Sequence, residues 1–265
     1  MDEREAALDR LAAGLADLDE DVDELIDLAD ELESVLGAEH APRVEAHLTA
    51  AVRAANTWAR EMLGILLAGI GGPAALPALL RAGSVDLGDD QDGLSTRLAD
   101  LAAEDPARSR GVLLPLLHDP DRRLRAKAVW LLGFVPEPSD LELLARTAQD
   151  PDEDVRGASV GTIGSHTANS PAAVDLLLRL LADPAPQVRV SALSSLGYAG
   201  QPHALPAIRA CADDPDARVR AWTAIALGRF PGAEPETRAV LRRLHRDPDS
   251  YVRSNIPEWA TRPAR

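Results

Sequence analysis

The sequence predicts an all-α protein, an α-solenoid of stacked antiparallel helix pairs. A five-fold recurrence carries this. Asp119-Pro120-Asp121, Asp150-Pro151-Asp152, Asp183-Pro184-Ala185, Asp214-Pro215-Asp216 and Asp247-Pro248-Asp249 lie 31, 33, 31 and 33 residues apart, and an apolar residue and an Arg follow each one. That period exceeds a heptad and falls short of a domain, so each copy is one supersecondary unit that buries its apolar face on its neighbours. Composition agrees: aromatics are 3% of residues while Ala, Leu and Val dominate the hydrophobic 46%, a mixture suited to close helix packing.

The chain divides by character into an acidic amphipathic region (1–40), degenerate helical repeats with an acidic loop (41–103) and the clear repeat array (104–265). Its net charge of −15 is all in the first two: residues 1–103 hold 22 acids and 7 bases, residues 104–265 hold 21 of each. A neutral array argues against nucleic acid, which selects basic surfaces. Cys211 is the lone cysteine, so nothing is stapled. The acidic start, MDEREAALDR, is unlike a secretory signal, and no apolar run is expected to approach the ~20 residues needed to span a bilayer; the expected setting is cytoplasmic, with no membrane.

Over residues 6–36, Leu8, Leu11, Leu15, Leu18, Val22, Leu25, Ala29, Leu32 and Leu36 alternate steps of three and four. This predicts one long helix with a single apolar stripe. The acids on its other faces make it a capping helix with charges in water, or a docking helix for a basic partner. Pro42 opens a second predicted helix reaching about Leu67, and Gly71-Gly72-Pro73 breaks the chain. AALPALLRA at 74–82 resembles ALPAIRA at 204–210. The polar loop from Gly83 to Gly93 holds Asp86, Asp89, Asp90 and Asp92 but fails the calcium-loop pattern, with Gln91 sixth and Arg97 twelfth; it reads as a solvated loop.

Within a repeat, Ser170 is placed to cap a first helix opening at Pro171, and Asp183-Pro184 ends it. Asp121, Asp152, Asp216 and Asp249 are expected N-caps of the second helices, each worth about 1 kcal/mol over Ala; Ala185 is the exception, with Pro186 beside it. Second helices are expected to close at Gly133, Gly164, Gly197 and Gly228 with left-handed caps. Val155, Ser159, Thr162 and Ile163, like Val188, Ala192, Ser195 and Leu196, share the face to be buried. Arg125, Arg156, Arg189, Arg220 and Arg253 each stand six residues after Asp119, Asp150, Asp183, Asp214 and Asp247. They can pair with their own Asp or a neighbour's, forming a structural ladder.

The string D-P-D-x-x-V-R-x-x-A-x-x-x-L-G, seen at 214–228 with Thr223 in the Ala position, resembles the HEAT repeat and its bacterial HEAT-like relatives, including those of phycobilin lyases. The resemblance is specific over 104–261. It implies that the Asp and Arg are scaffold residues and that second helices line a concave face. Pro115 and Pro206 depart from it by interrupting first helices, and Pro257 by breaking the last second helix.

Residues two and six positions after each apolar anchor are then the freest to face a groove: Ala126 and Trp130, Gly157 and Gly161, Val190 and Ser194, Ala221 and Ile225, Ser254 and Glu258. Most are small, giving a smooth trough in which Trp130 is a candidate protein-binding anchor or a filler between repeats. Lys127 and Trp222 lie on its flank. The partner-binding candidates are therefore Trp130, Lys127, Gly161, Ser194, Trp222 and Ile225. No catalytic, cofactor or metal site emerges. The six His are scattered and none precedes a Glu, whereas the HEAT-like deoxyhypusine hydroxylases, similar in their repeats, hold iron with paired His-Glu motifs. The expected function is a non-enzymatic scaffold that binds a protein or peptide. The alternatives are an enzyme similar to the HEAT-like alkylpurine DNA glycosylases, which would need a positive stripe beside Trp130 and Trp222, or one similar to bilin lyases. The oligomeric state is not legible.

Overall fold

A computed structural model of the chain describes residues 3–17, 21–88, 92–166, 170–230 and 234–261, and these form helices and turns without a strand. The chain divides into two compact units, Met1–Val135 and Pro136–Arg265. The division falls after the first clear repeat.

Unit 1 opens with α1 (Glu3–Ala16) and α2 (Val22–Val35), which corrects the expectation of one helix over 6–36. The two pack on each other as a hairpin. Asp21 caps α2, accepting a hydrogen bond from the Asp23 amide at 3.0 Å, so the acidic stretch supplies a helix start where periodicity suggested continuity. Leu8, Leu11 and Leu15 from α1 are buried, as are Leu25, Ala29 and Leu32 from α2, but Val22 is 50% exposed; Leu18 lies outside the described residues. The hairpin rests on α3 (Ala41–Arg53) and α4 (Thr57–Gly71). Arg43 donates to Asp9 at 3.0 Å and Asn56 donates to the Leu15 carbonyl at 2.8 Å.

The helix expected from Pro42 to Leu67 is likewise two, α3 and α4. Ala55 takes φ +54, and Asn56 caps α4 by accepting from the Ala59 amide at 2.8 Å. Gly72, at φ +54, leads into a 3-10 turn and then α5 (Leu76–Gly83). Across this stretch the expectation about apolar runs needs correction. Thr57–Gly83 forms 27 residues of helix apolar enough, by length and composition, to cross a membrane, and 56% of its most apolar window is buried within the protein. Leu63, Leu66, Leu67, Leu76, Leu79 and Leu80 are core residues, which accounts for the hydrophobicity. Residues 72–83 follow the local path of 202–210, a 3-10 turn and then a helix with Pro in its first turn, so the sequence likeness is one of structure. Pro206 thus opens α13 (Leu205–Ala210) rather than interrupting it. Unit 1 ends with α6 (Asp92–Glu104), α7 (Pro106–Leu116, with Pro115 near its end) and α8 (Arg122–Leu132). Asp89, Asp90 and Gln91 of the acidic loop lie outside the described residues.

Unit 2 holds α9 (Asp140–Thr147), α10 (Glu153–Ser165), α11 (Pro171–Leu180), α12 (Pro186–Ala199), α13, α14 (Ala217–Gly228) and α15 (Pro235–Leu244). Its last second helix is split by Pro257 into α16 (Ser250–Ser254) and α17 (Glu258–Thr261). Second helices stack side by side, α10 on α12 on α14, with α16 beyond. Val155, Val160, Ile163, Val188, Ala192, Leu196, Val219, Ala224 and Leu227 fill the seam.

Candidate partner-binding surface

Each Asp-Pro turn satisfies its own polar groups. Asp183 Oδ1 accepts from the Ala185 amide at 2.8 Å, and Asp150, Asp214 and Asp247 make the same turn with Asp152, Asp216 and Asp249. Two residues on, Asp121, Asp152, Asp216 and Asp249 accept from the amide two positions ahead and cap their helices. The arginines then join turn to turn. Arg189 donates through Nη1 to the Asp183 and Pro184 carbonyls at 2.8 and 3.1 Å, and forks through Nε and Nη2 onto the Asp214 carboxylate at 2.8 and 2.7 Å. Arg156 bridges to Asp183, and Arg220 to Asp247, in the same way. Arg125 and Arg253 bind the carbonyls of their own turns. Bidentate pairs of this kind fix geometry as well as energy. The carboxylate hydrogen bond holds the Arg156, Arg189 and Arg220 pKa values above the ordinary arginine range. The Arg220 fork also holds Asp247 below the ordinary carboxylate range. These groups are occupied by the scaffold.

The recurrent glycines serve packing, and this corrects the expectation of left-handed caps. Among the described residues, glycine takes positive φ only at Gly72, Gly88 and Gly200. Gly164 and Gly197 lie inside α10 and α12, and Gly228 ends α14. A Cβ on Gly197 would stand 3.0 Å from Ala226 Cα and 3.2 Å from its Cβ; on Gly164 it would meet Ser195 Oγ at 3.0 Å, and on Gly228 the Pro257 ring at 3.3 Å. The repeat demands a bare backbone there because the next repeat's second helix presses against it.

Gly157 and Gly161 behave oppositely. They sit one turn apart inside α10, and a Cβ on either would meet nothing within 4 Å. Gly161 is exposed, and its counterparts Ser194 in α12 and Ile225 in α14 are half-buried. The row that unit 2 leaves at least partly exposed is therefore Gly161, Ser194 and Ile225, with Trp222 half-buried beside it on α14. Val190 and Ala221, which the trough reading also placed facing outward, are buried, since α12 and α14 pack closely enough to close over that flank.

Unit 1 carries Lys127 and Trp130 on α8. Lys127 Nζ stands 5.4 Å from the Trp130 ring centroid, within cation–π reach. Burial first, and the Arg60 charge second, push the Lys127 pKa down. Phe134, 47% exposed, meets Trp130 edge to face at 5.0 Å. In unit 2 the Arg229 guanidinium stacks 3.7 Å over Tyr198, which is 71% exposed. Sequence reasoning missed Phe134, Tyr198 and Arg229. The signal was there: each directly follows the repeated glycine, at a position that varies from copy to copy.

No three His, Cys, Asp or Glu are grouped to hold a metal among the described residues. The Cys211 thiol is pushed up to about 11 by burial and by Asp214, leaving it protonated and unreactive near neutrality.

Stacked helix pairs pinned by Asp–Arg forks define a helical-repeat protein of the α-solenoid class. The family model described as HEAT repeats matches residues 109–193 and 174–258, more than half the chain, and the chain belongs to the HEAT-repeat family. Comparison with curated proteins gave no match. Among solved structures, YibA of Escherichia coli is similar at 18% identity and TM-score 0.52, over 93% of this chain and 90% of that one. A designed armadillo repeat protein in complex with the peptide (KR)4 is similar over 78% and 95%, with 18% identity and TM-score 0.46. Human deoxyhypusine hydroxylase in complex with glycerol is similar over 97% and 96%, with 18% identity and TM-score 0.32.

Proposed function

We propose that the chain is a non-enzymatic interaction scaffold, and that the partly exposed row of unit 2 (Gly161, Ser194, Ile225, flanked by Trp222) holds an extended or helical segment of a protein partner. Trp130, with Lys127 and Phe134, offers a separate contact on unit 1. The observation that carries this reading is the pair Gly157 and Gly161. Glycine in a helix interior costs about 1 kcal/mol against Ala, yet here neither positive φ nor a packed neighbour requires it. A bare helix surface lets a partner's backbone approach closely. Against the DNA-repair alternative, three of the second-helix arginines it would draw on, Arg156, Arg189 and Arg220, are committed to carboxylates. The test is affinity purification of the intact chain from its native lysate, with and without DNase, beside the Gly157→Leu/Gly161→Leu variant. Capture of a protein that survives DNase and is lost in the variant supports the proposal. Equal capture by both chains, or loss on DNase treatment, refutes it.

A further inference from the structure

Between α1 and α2 runs a groove seen as two hollows of about 430 and 380 Å³ that share Arg10 and Leu28. Ala7, Gly14, Leu28 and Val35 supply its apolar lining, and Val35 is 40% exposed. Glu3, Glu24 and Glu31 rim it; Arg4 and Arg10 also line it, but residues 1–36 hold 14 acids against those two bases. An apolar floor inside a carboxylate rim fits a helix that carries small or apolar residues between cations.

Unit 2 has such a helix in α15. Over 238–246, RAVLRRLHR, there are four arginines and no acid. Thr237, Leu241 and Leu244 form the buried stripe of α15. Ala239 and Arg242 fall on the opposite side at about 100° per residue, Arg246 stands in the turn that follows the helix, and all three are exposed. Arg243 is paired with Asp213 at 3.0 Å and Arg238 lies over the Trp259 ring. Arg242 and Arg246 have no carboxylate partner among the described residues.

We propose that copies of this chain associate, the acidic α1–α2 groove of one receiving the basic outer face of α15 of another. The contact joins two different surfaces, so two copies can exchange it reciprocally or pass it on to a third. It does not depend on the row proposed for the protein partner, and its failure would leave that row untouched.

Sedimentation velocity of the full chain over a concentration series, at about 0.05 M and about 0.5 M salt, tests it with two variants at exposed positions. Glu24→Lys/Glu31→Lys makes the groove rim basic, and Arg242→Glu/Arg246→Glu makes the α15 face acidic. The expected result is a wild-type mass that rises with concentration above the monomer and falls at high salt. Each variant alone remains monomeric, and the two mixed recover association because every groove again meets an opposite charge. A wild type that stays monomeric throughout, or variants that associate alone as the wild type does, would overturn the proposal.

Discussion

Changing Gly161 to Ala and Gly197 to Ala makes the same chemical substitution inside successive second helices, and the structure gives the two opposite signs. At Gly161 the new methyl meets nothing within 4 Å, so the effect is the lost glycine penalty, a gain of about 0.5–1 kcal/mol. Adding Gly157→Ala brings the gain to about 1–2 kcal/mol. For a unit of this size that raises the melting temperature by about 2–4 °C per kcal/mol. At Gly197 the methyl lands 3.0 Å from Ala226 Cα and 3.2 Å from Arg229 Cδ. Backbone cannot yield as a side-chain end can, and overpacking costs about 1–3 kcal/mol, which outweighs the helix-propensity gain. Thermal unfolding by far-ultraviolet circular dichroism reads both shifts. Because repeat arrays can open in parts, amide exchange within α10 and α12 locates each effect. If both variants shift in the same direction, the assignment of Gly161 to open surface and Gly197 to a packing seam is wrong.

Arg189→Ala should destabilise unit 2 by about 2–4 kcal/mol, since it strips the part-buried Asp214 carboxylate and two turn carbonyls of their donor; Arg189→Lys should recover only part of this in urea melts, lacking the fork. The folded Asp247 pKa is depressed by the Arg220 hydrogen bond, so its stabilisation is present above the unfolded value of about 3.9 and is lost as pH falls through the folded value. Unfolding followed below about pH 4 should therefore show a stability loss that shrinks in Arg220→Ala. Trp130→Ala should weaken partner capture by about 2 kcal/mol with little change in melting temperature; a large drop in melting temperature with capture intact would reassign Trp130 to packing.

How much was legible in the sequence follows from what repeats and what does not. Asp152, Asp216 and Asp249 announced their caps because a cap is a local hydrogen bond between neighbours in sequence. The breaks at Asp21 and Asn56 are equally local caps, but Asp21 sat within an uninterrupted apolar pattern and periodicity ran straight over it. The glycines show a different limit. Gly161 and Gly197 are the same letter in neighbouring second helices, yet what distinguishes them is whether Ala226 or open space lies opposite, a tertiary fact. Val190 and Ala221 fail similarly: a helical wheel gives angle but not how closely the adjoining helix closes over the flank. The two possible partners of each Arg, its own turn or a neighbour's, were left open by spacing, and the structure shows Arg156, Arg189 and Arg220 engaging both.

The central claim, that the second-helix row of unit 2 is where a partner lies, is tested most directly by placing a photo-crosslinking side chain at Ser194 on α12 and, separately, at exposed Asp175 on first helix α11, then irradiating the intact chain in its native lysate. The account predicts a discrete protein adduct at 194 that Gly157→Leu/Gly161→Leu abolishes, and none at 175. Adducts at 175 alone, or equal adducts at both positions unaffected by the glycine variant, would contradict it.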